Sequence, residues 1–101
     1  MSRRVSRKDL QLCAQVQDNL YWVLGAQVGD ESLAFLQVLG VEPMPDASRL
    51  LVTVSAPADI SLEMATIRLQ DASKAIRAEV AASINRRKAP ELVFRVLRQG
   101  G

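Results

Sequence analysis

The stretch from residue 62 to residue 90 constrains the fold more than any other part of the sequence. Apolar or small side chains recur there at spacings of three and four, the period of a helix that buries one side. The positions of this seam are Leu62, Ala65, Leu69, Ala72, Ile76, Val80 and Ser83. Pro90 then forces the preceding residue out of helical geometry, and residues 91–97 predict a strand. Because the helical side is apolar throughout, we expect it to pack on a sheet.

The middle of this stretch is the one place where the pattern favours a bend. Ala72 is small enough for a close approach of the backbone, and Ser73 can cap a new helix or hydrogen-bond back into the old one. The sequence therefore predicts two helices, 61–71 and 73–87, that meet at a kink formed by Ala72, Ser73 and Lys74.

The N-terminal half predicts one helix and two strands. Residues 8–27 show helical spacing of apolar positions. These positions are Leu10, Cys13, Val16, Leu20, Val23 and Leu24. Two runs rich in leucine and β-branched residues, 34–41 and 49–55, predict strands separated by a proline-rich turn. The predicted order is helix, strand, strand, helix, kink, helix, strand, an α+β domain with its helices on one face of a three-stranded sheet.

The composition of the chain limits the kinds of chemistry that it can carry out. The chain has 101 residues, 49% of them hydrophobic and 24% charged, as expected of one globular domain. It contains no histidine, the commonest metal ligand and general base, and its single Cys13 excludes an intrachain disulfide. Neither a glycine-rich phosphate loop nor a nucleophile elbow occurs. We therefore expect no enzyme activity, cofactor, metal or small-molecule substrate, and a cytoplasmic monomer that does not enter a membrane.

Positive charge is clustered although the net charge is only +2. The candidate RNA-binding residues are Arg3, Arg4, Arg7, Lys8, Lys74, Arg77, Arg86, Arg87 and Lys88. Residues 1–6 are interpreted either as a flexible solvated arm or as an arm that binds phosphate, and residues 99–101 as a frayed end. The helical cations have a simpler interpretation as well, because such residues aid solubility and stabilise the dipole at a helix C-terminus.

Cys13 and Trp22 have interpretations of their own. Cys13 falls within the apolar stripe of the first helix, which is typical of a small core residue. Trp22 points away from the centre of that stripe. The ring either packs against the following loop or contacts a partner.

Four short motifs occur in order along the chain. They are Gly-Val-Glu at 40–42, Asp46 followed by Val-x-Val at 52–54, Leu-Gln-x-Ala-Ser-x-x-Ile-Arg at 69–77, and Arg-x-x-Pro-Glu-Leu-x-Phe at 87–94. Together they resemble ribosome-binding factor A, a family of bacterial assembly factors of the small ribosomal subunit. The resemblance covers about residues 8–98 and implies a single KH-like domain of type II over 1–101. Lys74 stands where the family kink has glycine.

The resemblance also implies a function. It implies a factor that binds the free or immature small ribosomal subunit through its rRNA and assists late maturation and 5′-end rRNA processing. The chain lacks the Gly-x-x-Gly loop with which KH domains clamp single strands, which favours recognition of a folded surface. Two alternatives remain open: a protein–protein interaction module that pairs through its sheet edge, and a general KH-like binder of single-stranded RNA.

Overall fold

Two α-helices pack on a three-stranded mixed sheet, in a computed structural model that describes residues 7–27, 31–44, 48–84 and 90–99. The elements are α1 Arg7–Trp22, β1 Gln37–Pro43, β2 Arg49–Ala56, α2 Leu62–Ser83 and β3 Glu91–Arg98. A π-helical turn and a 3-10 helix connect α1 to β1. The strand order is β1-β2-β3, with β1 antiparallel and β3 parallel to β2. The predicted α+β KH-like fold is confirmed.

The central strand β2 forms the floor of the core. Leu50, Val52 and Val54 alternate along it and are fully buried beneath the helices, because successive side chains of a strand point to opposite faces. Beside it, β1 carries a register shift between Val38 and Gly40, as at a β-bulge. β1 begins later than predicted because residues 31–35 form a 3-10 helix that buries Leu33.

Helix α1 buries a slightly different stripe from the predicted one. Cys13, Val16 and Leu20 lie in the core as expected, but Leu10 is 57% exposed and Leu12 is buried. Leu10 lies about 120° around the helix from Val16, whereas Leu12 lies only about 40° away. The inclusion of Leu10 in the core was therefore wrong, and the seam tilts toward Leu12.

Helix α2 is one continuous element, so the prediction of two helices that meet at a kink is wrong. Ala72, Ser73 and Lys74 all lie within Leu62–Ser83. Neither glycine nor proline interrupts this helix, and alanine and lysine are strong helix formers, so Lys74 supports helix where the related family has glycine. The helix ends at Ser83, where the N–H of Ile84 donates to the Val80 carbonyl at 3.0 Å. The predicted continuation to Arg87 lies outside the described residues.

The first turn of α2 is capped by a serine hydroxyl. Ser61 has extended backbone geometry, and its Oγ accepts a hydrogen bond of 3.0 Å from the N–H of Met64. We expect Ser61→Ala to lower the free energy of unfolding by about 1 kcal/mol, because that N–H loses its partner. Urea denaturation measures the change. Ser61→Asp should retain the stability of the parent, and an equal loss in both variants would contradict a capping role.

The last strand holds the loop that precedes α2. One Nη of Arg98 donates to the carbonyls of Pro57, Ala58 and Ile60 at 3.2, 3.4 and 2.8 Å. Gln99 continues the ladder, with its N–H donating to the Ala56 carbonyl at 2.9 Å. Gln99, the first residue of the predicted frayed end, is thus hydrogen-bonded to β2, and Arg98 has a structural role.

The buried thiol of Cys13 links stability to alkaline pH. Burial, followed by the nearby Asp9 and Glu42 carboxylates, raises its pKa above the ordinary value of 9.0. An acid whose pKa is higher in the folded state stabilises that state below its unfolded pKa, and this stability is lost as pH rises through the folded pKa. We expect the urea midpoint to fall above about pH 9, and to fall less in Cys13→Ala. The same alkaline slope in both proteins would contradict this.

Candidate nucleic-acid interface

The described residues include four of the nine predicted RNA-binding residues. Arg7 and Lys8 are exposed in the first turn of α1. Lys74 and Arg77 lie three residues apart on α2, the former exposed and the latter half-buried. The remaining cations lie outside the described residues; they are Arg3, Arg4, Arg86, Arg87 and Lys88.

A groove runs between one flank of α2 and the edge strand β3. Thr66, Gln70 and Ser73 line it from the helix. On the strand side it is lined by Leu92, Val93 and Phe94. Positions 66, 70, 73 and 77 follow helical spacing, so Arg77 lies on the same flank of the helix as the polar residues that line the groove. The helix thus presents hydroxyl, amide and guanidinium groups along one side.

The polar groups of the groove differ in the hydrogen bonds that they can form with a ligand. The Thr66 hydroxyl donates to the Leu62 carbonyl at 2.8 Å, so toward a ligand it has lone pairs only. Gln70 is exposed and Ser73 half-buried; an amide and a hydroxyl can both donate to phosphate or accept from a ribose hydroxyl. Phe94, also half-buried, places an aromatic ring at the wall. Hydroxyl and amide groups of this kind contact the RNA backbone, and an aromatic ring can stack on an unpaired base.

The two cations of α2 have different environments. Lys74 is exposed on the side of the helix away from the core, and the exposed Ala75, Ala78 and Ala82 lie near it in sequence. Arg77 is half-buried beside the core seam. Around the helix axis, Arg77 lies about 95° from the seam. This is close enough for the aliphatic part of its side chain to pack against neighbouring residues. Lys74 is therefore the cation of this pair with the greater solvent access.

Metal binding would require a cluster of ligating side chains, and membrane insertion would require a long apolar helix. Among the residues that the structure describes, no cluster of three or more histidine, cysteine or acidic side chains could hold a metal ion. None of the helices within those ranges has the length and apolar character needed to cross a membrane.

Comparison with known proteins shows that the chain is similar to a protein of known structure. The crystal structure of ribosome-binding factor A from Thermus thermophilus superimposes with a TM-score of 0.76. The match covers 92% of this chain and 99% of the other, with 29% sequence identity. The resemblance to the ribosome-binding factor A family is confirmed. No protein-family model matches the chain, and no curated protein matches it.

The likeness to ribosome-binding factor A extends along nearly the whole chain. Sequence reasoning identified Lys74 and Arg77 but missed Thr66, Gln70 and Phe94 as groove residues. The polar spacing 66, 70, 73 and 77 was a signal available in the sequence. The position of Phe94 opposite that flank depends on how α2 packs against β3.

Proposed function

We propose that this protein is a ribosome assembly factor that binds the free or immature small ribosomal subunit through its rRNA. It assists late maturation of the subunit and 5′-end processing of the rRNA. In this proposal it acts in the cytoplasm as a monomer, without enzymatic activity, cofactor or small-molecule substrate. The similarity in sequence and fold to a solved ribosome-binding factor A supports this assignment.

The observation that carries the proposal is the α2–β3 groove together with the cations of α2. Phosphate contacts position a protein on RNA, and hydroxyl, amide and cationic side chains make most of them. Gln70, Ser73 and Arg77 provide these groups on one flank, and Lys74 extends the positive charge to the exposed side. The chain has no Gly-x-x-Gly clamp, so the groove is suited to a folded RNA surface rather than to a short single strand.

The proposed mechanism is transient occupation. The basic flank and groove hold one arrangement of immature rRNA, whose phosphates and sugar hydroxyls contact α2 and β3. When maturation moves those RNA groups apart, the contacts are lost together and the protein dissociates. Shape and charge therefore provide selectivity for the immature subunit, and no bond is made or broken.

Salt dependence provides the direct test. If about four to six phosphates are contacted, the logarithm of the affinity for purified small subunits should fall against the logarithm of salt concentration with a slope of roughly −3 to −5. Co-sedimentation at several salt concentrations measures it. Assembled ribosomes are the matched control and should bind much less. A flat salt response, or equal binding to assembled ribosomes, contradicts the proposal.

The same experiment separates the two alternatives. A protein–protein module should sediment with small subunits in a manner insensitive to salt and should not depend on RNA. A general KH-like binder should bind short single-stranded RNAs without any subunit. Tight binding to a ten-nucleotide RNA would therefore favour the second alternative over an assembly factor.

A further inference from the structure

Three of the four aromatic side chains lie on the surface. Tyr21, Trp22 and Phe35 are 74%, 68% and 66% exposed. Large rings normally provide buried apolar area, and this small core is filled by aliphatic residues instead. The rings of Tyr21 and Trp22 meet edge to face with centroids 6.2 Å apart. Trp22 contacts its neighbour's ring and stays exposed, which favours a partner contact over packing into the following loop.

Tyr21 stands between two adjacent grooves at the end of α1. On one side, Leu24, Phe35 and Leu36 line a depression of mixed polarity that also reaches Gln37 at the start of β1 and Gln99. On the other side, Gln17, Asp18 and Trp22 line a shallower depression. Tyr21 and Val38 line both. The three rings and these depressions form what we call the aromatic platform, beside the edge strand β1 and across the sheet from the α2–β3 groove.

The charge of the aromatic platform selects among possible occupants. Asp18 is the one charged residue among the side chains that line the two depressions within the described part of the chain; none is lysine or arginine. A nucleic acid requires cations to neutralise its phosphates, so this platform is poorly suited to it. The faces of aromatic rings carry negative charge density and attract lysine or arginine. Asp18 adds a full negative charge beside Trp22.

We propose that the aromatic platform docks a segment of a partner protein in which lysine or arginine alternates with aliphatic residues. An aliphatic side chain enters the depression between Tyr21 and Phe35, and a neighbouring cation lies against Trp22 within reach of Asp18. This site goes beyond the proposed RNA interface and does not depend on it, because the two lie at opposite edges of the sheet. The protein can therefore hold RNA and a protein partner at the same time.

Trp22 is the single tryptophan of the chain, so its fluorescence reports on the platform alone. The probe is a twelve-residue peptide of alternating lysine and leucine without aromatic residues. We expect a blue shift of Trp22 emission that saturates below about 1 mM peptide. A peptide of alternating glutamate and leucine should produce no shift. Tyr21→Ala should weaken the lysine–leucine peptide about tenfold, and Asp18→Asn should weaken it several-fold.

The matched control is Ile67→Ala, which removes another exposed apolar side chain, on α2, and should leave peptide binding unchanged. All three substitutions are on the surface, and unchanged urea midpoints confirm that each variant is folded. The proposal is overturned if the lysine–leucine peptide gives no saturable shift, or if Ile67→Ala weakens it as much as Tyr21→Ala. Tighter binding of a ten-nucleotide oligouridylate would assign the platform to RNA instead. A blue shift with protein concentration alone would assign it to a second copy of the chain.

Discussion

Replacing Ile76 with alanine is expected to lower the free energy of unfolding by about 2–5 kcal/mol. Ile76 is fully buried in the middle of α2, between Leu69 and Val80 on the side that packs on the sheet. The substitution removes three carbon atoms from a close-packed interior and leaves a cavity. Because α2 is one continuous helix, the loss should appear in a single cooperative transition. Urea unfolding followed by circular dichroism measures both.

Ile67→Ala is the control for Ile76→Ala on the same helix. Its side chain is 44% exposed, so its removal should cost well under 2 kcal/mol and leave no internal cavity. If both variants lost the same stability, the buried seam of α2 would be assigned to the wrong side. A separate early transition in Ile76→Ala would indicate that α2 behaves as two units after all.

Reversing the charge of Lys74 is expected to weaken small-subunit binding about tenfold or more without affecting folding. Lys74 is exposed and faces away from the core, and surface substitutions of this kind change stability by about 0.5 kcal/mol or less. In Lys74→Glu an attraction to phosphate becomes a repulsion. The salt slope should also become shallower by about 1 or more, because at least one phosphate contact is lost. Co-sedimentation and urea unfolding of the same variant give both values.

Charge reversals at Arg77 and Arg95 serve as comparisons for the binding and stability of Lys74→Glu. Arg77→Glu should reduce both binding and stability, because this side chain is half-buried. Arg95→Glu is the matched control on the edge strand, where an Nη of Arg95 donates to the Thr53 hydroxyl at 3.2 Å, and it should weaken binding much less. Arg98 is unsuitable as a control because it holds three loop carbonyls. Normal binding by Lys74→Glu, or an equal loss in Arg95→Glu, would place the RNA surface elsewhere.

Local patterns account for the parts of the fold that were predicted correctly. The run of leucine and β-branched residues at 49–55 predicted the strand β2, in which Leu50, Val52 and Val54 alternate and are buried. The spacing of Leu69, Ile76 and Val80 identified the seam of α2 in the same way. The motifs at 69–77 and 87–94 carried the family resemblance that the solved structure supports. Each of these signals depends on residues close together in sequence.

The family pattern predicted a kink in α2, whereas local helix propensity favoured a continuous helix. The kink at Ala72 and Ser73 was predicted from a seam and a family pattern, but Lys74 replaces the residue type that makes such a bend easy. The chain therefore continues as helix through this point. The strand predicted from residue 34 begins only at Gln37, because residues 31–35 form a 3-10 helix that places Leu33 in the core.

The sequence by itself determined the helical regions, the three strands and the family likeness, since periodicity and motifs are local. The tertiary structure alone decided which residues meet across elements. Packing of α2 against β3 brings Gln70 and Ser73 opposite Phe94, and the return of β3 places Arg98 under the carbonyls of residues 57–60. Packing of α1 over β1 leaves Tyr21 and Trp22 outside a core that aliphatic side chains already fill. These contacts join residues that are far apart in sequence. They depend on the direction in which each helix crosses the sheet.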